Sequence, residues 1–137
     1  MTQSHTFQNN YLKRIMVVEG NPSLRIGIVN YLMLEGYTVT GVGSALDFYL
    51  QFIREPYLIA IIDTDLNDQD GLVVAEYARK NTDIRIITLS EPLTSSTIPA
   101  NIKAGADLNL VKPIDLRLLG AAVRTLLSRL DTPDILH

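Results

Sequence analysis

Four polar residues each close a short apolar run: Glu19 after RIMVV, Asp63 after LIAII, Ser90 after IRIITL and Lys112 after LNLV. A carboxylate such as that of Asp63 can act as a nucleophile and take a phosphoryl group as an acyl phosphate. A divalent cation must then offset the charge on the phosphate and on a neighbouring acid, and magnesium suits carboxylate, water and phosphate oxygens. A lysine ammonium opposite the acid supplies a mobile point charge for the phosphoryl oxygens. A hydroxyl nearby can donate a hydrogen bond to them. Taken singly, each residue has a duller role. Asp63 could cap a loop or helix, Glu19 and Ser90 could satisfy loop amides, and Lys112 could be a solvated surface lysine. Four such coincidences at successive run ends are much less expected than one.

The elements that must position these residues can be read from periodicity and punctuation. The runs Arg14 to Val18, Tyr37 to Thr40, Leu58 to Ile62, Ile84 to Leu89 and Leu108 to Val111 are short and apolar or β-branched, the pattern of strands. Asn21-Pro22 starts a helix to Leu34, with Leu24, Ile28 and Leu32 inward and Gly36 as a left-handed stop. Gly41 to Ser44 reads as a turn, with Ser44 and Asp47 as a capping pair. The spacing then predicts a helix over Ala45 to Arg54 that buries Leu46, Leu50 and Ile53. Gly71 to Lys80 is a third helix, with Leu72, Ala75 and Ala78 inward. The segment Leu93 to Ala104 is the fourth by position, but its Ser/Thr run and Pro99 predict a short or mobile helix starting near Thr97 or Ile98. Asp115 caps a fifth helix to about Leu130, with Leu116, Leu119, Val123, Leu126 and Leu127 inward. Alternating strands and helices predict an α/β doubly wound parallel sheet with helices on both faces. Strand-end residues of such a sheet share its carboxyl edge, where chemistry sits.

The 137 residues suit one domain, and 47% hydrophobic with 20% charged residues is a globular composition. Residues 1–12 read as a disordered lead-in, 13–130 as the domain and 131–137 as a tail or the start of a linker. With a net charge of −3 and no basic cluster, direct nucleic-acid binding is not expected. No apolar run reaches the length of a membrane span, and the polar N-terminus lacks the apolar core of a signal peptide. The chain has no cysteine, which excludes disulfides and thiolate metal sites.

VVEGNPSLR at the first strand end, IIDTDLNDQDGL around Asp63 and GADLNLVKPID around Lys112 make the chain resemble the receiver domain of bacterial two-component response regulators. The resemblance runs from about Lys13 to Leu130 and includes the Asp63 to Asp70-Gly71 spacing and the step from Ser90 to Lys112. It implies a flavodoxin-like five-stranded sheet of order 2-1-3-4-5. It implies Asp63 as phosphoacceptor, Lys112 as its paired lysine, Ser90 as the switch hydroxyl, and magnesium held by Glu19, Asp63 and the Asp65 backbone carbonyl. It further implies a cytoplasmic signalling module rather than an enzyme. Its partners would be a sensor histidine kinase or phosphotransfer protein, and an output domain or partner protein. The face of the fourth helix, fifth strand and fifth helix would carry output or homodimer contacts.

Three residues depart from the family pattern. Gly20 stands where a second acid usually ligates the metal, so weak magnesium binding is expected. Glu91 replaces a small residue after the switch hydroxyl and would repel a phosphoryl group if it faced inward. Asn109 stands where an aromatic often swings inward on activation. A phosphorylation-independent pseudo-receiver is therefore the alternative reading. A reading of another class comes from Asp63-Thr64-Asp65, which resembles the DxD start of haloacid-dehalogenase-type phosphatases. That motif usually lies on a first strand, and the chain is short for that fold with its cap.

Overall fold

The computed structural model describes residues 13–92, 100 and 103–131, the side chains of 130 and 131 excepted. Five strands, β1 (Arg14–Val18), β2 (Thr38–Val42), β3 (Ile59–Asp63), β4 (Arg85–Ser90) and β5 (Leu108–Val111), form one parallel sheet of order β2-β1-β3-β4-β5. The described helices are α1 (Pro22–Leu34), α2 (Ala45–Phe52), α3 (Gly71–Asn81) and α4 (Leu116–Asp131). This is the α/β, flavodoxin-like arrangement and strand order expected.

Strands buried on both faces need apolar residues at consecutive positions, and β3 is buried along its whole length. Its alternate residues feed two cores. Ala60 and Ile62 join Met16, Val18, Phe48, Val74 and Ile86 on the side of α2 and α3. Ile59 and Ile61 join Ile15, Val17, Ile28, Leu32, Leu119 and Val123 on the side of α1 and α4.

The ends of these elements follow local chemistry. Asn21 caps α1 by accepting from the Leu24 amide at 3.0 Å, with Pro22 opening the helix. Gly36 follows it at φ 101°, a conformation that a side chain disfavours. Ser44 caps α2 by accepting from the Asp47 amide, and Asp115 accepts from the Arg117 amide at the start of α4.

Three expectations need correction. Strand β2 runs two residues further than Thr40, to Val42, so Gly41 belongs to the strand rather than to a turn. A Cβ at Gly41 would lie 2.8 Å from Val29 Cγ2, so glycine there lets α1 pack against the strand. Helix α2 stops at Phe52 and presents the other face to the core. Ala45 and Phe48 are buried while Leu46, Leu50 and Ile53 are 62%, 48% and 74% exposed. Both stripes are apolar at helical spacing, and the wider one wins because Phe48 stacks on Phe52 and Tyr49 packs edge-on against Tyr77 of α3. Finally, β4 extends one residue past Leu89, so Ser90 is part of the strand.

The expected lead-in over residues 1–12 and the tail over 132–137 lie outside the described residues, as does most of the segment 93–104. Within that segment Ala100 and Lys103 are helical, and the Ala104 amide donates to the Ala100 carbonyl at 3.0 Å. Gly105 then turns the chain at φ 96°.

Candidate phosphoacceptor site

Each strand-end residue is pinned by its neighbour strand just as the ladder finishes. The Glu19 amide donates to the Val42 carbonyl at 3.0 Å, the Thr64 amide to the Leu89 carbonyl at 2.9 Å, and the Lys112 amide to the Ser90 carbonyl at 2.7 Å. Side chains on these residues therefore start from a rigid edge rather than from loops. Among the described residues, the buried polar side chains are Glu19, Asp63, Thr88 and Ser90. Burial of polar groups without partners is costly, and all four sit on neighbouring strands at or near this edge.

Three of the four residues expected to share a site touch. Lys112 Nζ lies 3.2 Å from Asp63 Oδ1 and 3.3 Å from Glu19 Oε1. The lysine leads into Pro113 through a cis peptide bond. Asp63 Oδ1 also accepts from the Asp65 amide at 2.9 Å, and Glu19 Oε2 from the Asn21 amide at 2.9 Å. Burial pushes the Glu19 carboxyl above its ordinary pKa. The neighbouring Asp63 adds to that rise, against the Asn21 hydrogen bond and the Lys112 charge, which lower it. For Lys112 burial works downward, but Glu19 and Asp63 outweigh it, and the ammonium is held above its ordinary range. Two buried acids and one lysine leave the cluster with an excess of negative charge.

Ser90 makes its contacts one strand further out. Its hydroxyl meets the Asn109 carboxamide, with Oγ 3.2 Å from Nδ2 and 3.3 Å from Oδ1. Thr88 Oγ1 lies 2.7 Å from the same Oδ1. Asn109 thus takes the place on β5 where an aromatic was the reference, and uses it for hydrogen bonds. The signal for this was in the sequence: Thr88 and Asn109 are polar residues flanked on both sides by apolar ones within their strands. Glu91 is exposed.

The loop after β3 is shaped by two further contacts. Asp70 caps α3 through the Leu72 amide at 2.9 Å. Asp68 accepts from both the Ala45 and Leu46 amides at 3.0 Å, tying the loop to the start of α2. No local pattern predicts that second contact, since the partners lie more than twenty residues apart. Arg25 was also not anticipated. Its guanidinium donates to the Glu19 carbonyl at 2.8 Å and lies against Gly43, where a Cβ would sit 2.6 Å from Nη1.

Could these residues hold a magnesium ion? The donors are hard oxygens: the Glu19 and Asp63 carboxylates and the Asp65 carbonyl. Beyond its 3.3 Å ion pair with Lys112, the buried Glu19 Oε1 has no further partner, so it has acceptor capacity to give. Among the described residues there is no group of three or more acidic, histidine or cysteine side chains placed to hold a metal. Gly20 adds open space, since the nearest atom to a Cβ there would be the Gly43 carbonyl oxygen at 3.9 Å. The set fits an ion that keeps several waters, as magnesium does.

A family model described as the response regulator receiver domain matches residues 15–124. The chain belongs to that family. Receiver domains are signalling modules that generally bind magnesium at the phosphorylation site. The chain is 30% identical over 119 residues to the TorCAD operon transcriptional regulatory protein TorR of Escherichia coli O157:H7, covering 85% of this chain and 51% of that protein. It therefore spans about half the length of such curated relatives. The receiver domain of TorR, the response regulator of a TMAO respiratory system, superposes with a TM-score of 0.80 at 27% identity, covering 85% and 97% of the two chains. A two-component response regulator from Clostridium difficile superposes at 0.84 with 20% identity over 88% and 99%, a likeness of fold. Among the described residues no helix is long and apolar enough to cross a membrane.

Proposed function

We propose that this receiver takes a phosphoryl group on Asp63 from a sensor histidine kinase or phosphotransfer protein. The observation that carries the reading is the buried contact of Lys112 Nζ with Asp63 Oδ1 at 3.2 Å, at the carboxyl end of β3. With Oδ1 held by Lys112 and by the Asp65 amide, Oδ2 is the attacking oxygen. Its P–O bond forms as the P–N bond of a phosphohistidine breaks, and the electron pair returns to the imidazole. Lys112 offsets charge on the phosphoryl oxygens, and the Ser90 hydroxyl donates to one of them. Magnesium, when bound through Glu19, Asp63 and the Asp65 carbonyl, shields the phosphate from the acids. Its affinity is low because Gly20 contributes no carboxylate.

The signal then passes to an output domain or partner protein through the face of the 93–104 segment, β5 and α4. Homodimer contacts fall on the same face. The setting for such a phosphorelay is the cytoplasm.

The test is mass spectrometry after treatment with acetyl phosphate and magnesium. A single phosphoryl adduct on the wild type, absent in Asp63→Ala and growing with magnesium into the tens of millimolar, is expected. No adduct at any magnesium concentration would overturn the reading in favour of a pseudo-receiver that docks without phosphorylation.

A further inference from the structure

Ser90 and Thr88 lie on the same side of β4, and the β4–β5 register sets Asn109 opposite Thr88. The three side chains form a short polar chain in an otherwise apolar layer. The shortest distance fixes the direction of its first link. A separation of 2.7 Å between Thr88 Oγ1 and Asn109 Oδ1 is typical of an O–H···O bond, so Thr88 donates and Oδ1 accepts. In that orientation Ser90 Oγ lies 3.2 Å from Nδ2, from which it accepts, and 3.3 Å from Oδ1, to which it donates in the alternative arrangement of its hydrogen. A serine whose oxygen accepts from Nδ2 has its own hydrogen to donate elsewhere. A serine that donates to Oδ1 instead spends that hydrogen on Asn109.

We propose that Asn109 is a positioning residue that sets the Ser90 hydroxyl as a hydrogen-bond donor towards the phosphoryl group on Asp63, completing a relay Thr88–Asn109–Ser90. The proposal rests on the phosphoacceptor reading and adds how its hydroxyl is oriented and how β5 senses it. Hydrogen bonds in a chain polarise one another, so donation by Ser90 to a phosphoryl oxygen strengthens the bond it accepts from Asn109. A change at Asp63 is thereby felt on β5 without an aromatic side chain.

The test uses beryllofluoride with magnesium as the phosphoryl mimic and NMR as the readout. The Asp65 amide resonance reports loading of the site, and the Asn109 carboxamide resonances report the relay. In the wild type both shift on loading. In Ser90→Ala the Asp65 amide still shifts and the Asn109 carboxamide does not. Asn109→Leu removes the donor and raises the half-saturating beryllofluoride concentration about fivefold, the typical worth of one net hydrogen bond. Asn109→Asp replaces Nδ2 with an acceptor, draws the Ser90 hydrogen to itself and raises that concentration further. In a Ser90→Ala background the Asn109→Leu cost disappears, because the two residues act through one bond.

A wild type in which the Asp65 amide responds and the Asn109 carboxamide stays still overturns the relay and leaves the phosphoacceptor reading standing. An Asn109→Leu cost that persists without Ser90 does the same. Silence of the Asp65 amide itself overturns both. The wild-type carboxamide measurement decides the matter even if a variant at Asn109 fails to fold.

Discussion

A Cβ on Gly71 would lie 2.0 Å from the Asp63 carbonyl oxygen and 2.7 Å from Thr64 Cα. Both neighbours are backbone, so neither can rotate away. The start of α3 therefore rests directly on the chain that carries the candidate phosphoacceptor, and the Gly71 amide donates to the Thr64 carbonyl at 3.1 Å. Gly71→Ala is expected to push β3 and α3 apart and cost about 1–3 kcal/mol or more, the range of overpacked cores. Urea unfolding measures the cost. An alanine variant as stable as the wild type would show that the loop shifts freely.

Gly20 presents the opposite situation. It has no left-handed backbone, and the nearest atom to a Cβ there is 3.9 Å away. Gly20→Asp should fold and return a second acid beside Glu19. A unit negative charge about 4 Å from a divalent ion is worth ~2 kcal/mol even with bulk-water screening, so magnesium affinity should rise more than tenfold. Magnesium titration followed by NMR reads this. A folded variant with unchanged affinity would mean that residue 20 does not face the metal.

Asp68 links the site loop to α2 through two backbone amides, and those bonds lower its carboxyl pKa below the ordinary 3.8. A depressed carboxylate stabilises the fold above its unfolded pKa and loses that contribution as pH falls through the folded value. Asp68→Ala should therefore be less stable than the wild type at neutral pH. The difference should shrink once the pH drops below about 3.8. Denaturation curves of the two proteins at neutral and acid pH make the comparison, and a deficit that does not change with pH would rule out the charged cap.

Strands were legible because a parallel sheet buried on both faces demands continuous apolar runs, and the polar residue ending each run marks the sheet edge. Glu19, Asp63 and Lys112 could be grouped for that reason alone. Ser90 could be placed on the edge, but its partnership with Asn109 depends on strand register, which no single run encodes. Helix α2 was misread for a different reason. Its sequence ALDFYLQF is apolar on two stripes, and only the aromatic packing between α2 and α3 chooses one.

That choice has a measurable consequence. Phe48 is fully buried and stacks on Phe52, while Leu50 is 48% exposed. Phe48→Ala should cost about 3–5 kcal/mol, as buried aromatics do. Leu50→Lys should stay within about 0.5 kcal/mol, as surface substitutions do. Chemical denaturation of both variants tests the helix orientation. Comparable losses at the two positions would put the exposed stripe against a partner surface or a second copy.

Lys112 is the counter-charge that two acids share, so its removal should reveal them. Its side chain is 17% exposed, against 1% for Glu19 and 3% for Asp63. In Lys112→Met both carboxylates lose the counter-charge, at a cost of about 3 kcal/mol at neutral pH, the lower range for a broken buried pair. The pH dependence fixes the cause. The Glu19 carboxyl is already raised above 4.5, chiefly by burial, and losing Lys112 raises it further. A raised carboxyl favours the fold while protonated and costs stability as pH rises through the folded value. The deficit of Lys112→Met should thus be small in acid and grow through the mildly acidic range. At the alkaline end the raised ammonium makes the wild type lose this contribution as pH climbs past 10.5, so the two proteins should converge again. Urea unfolding across that range distinguishes charge from packing. A deficit of constant size would mean that the lysine stem, and not its charge, supports the site.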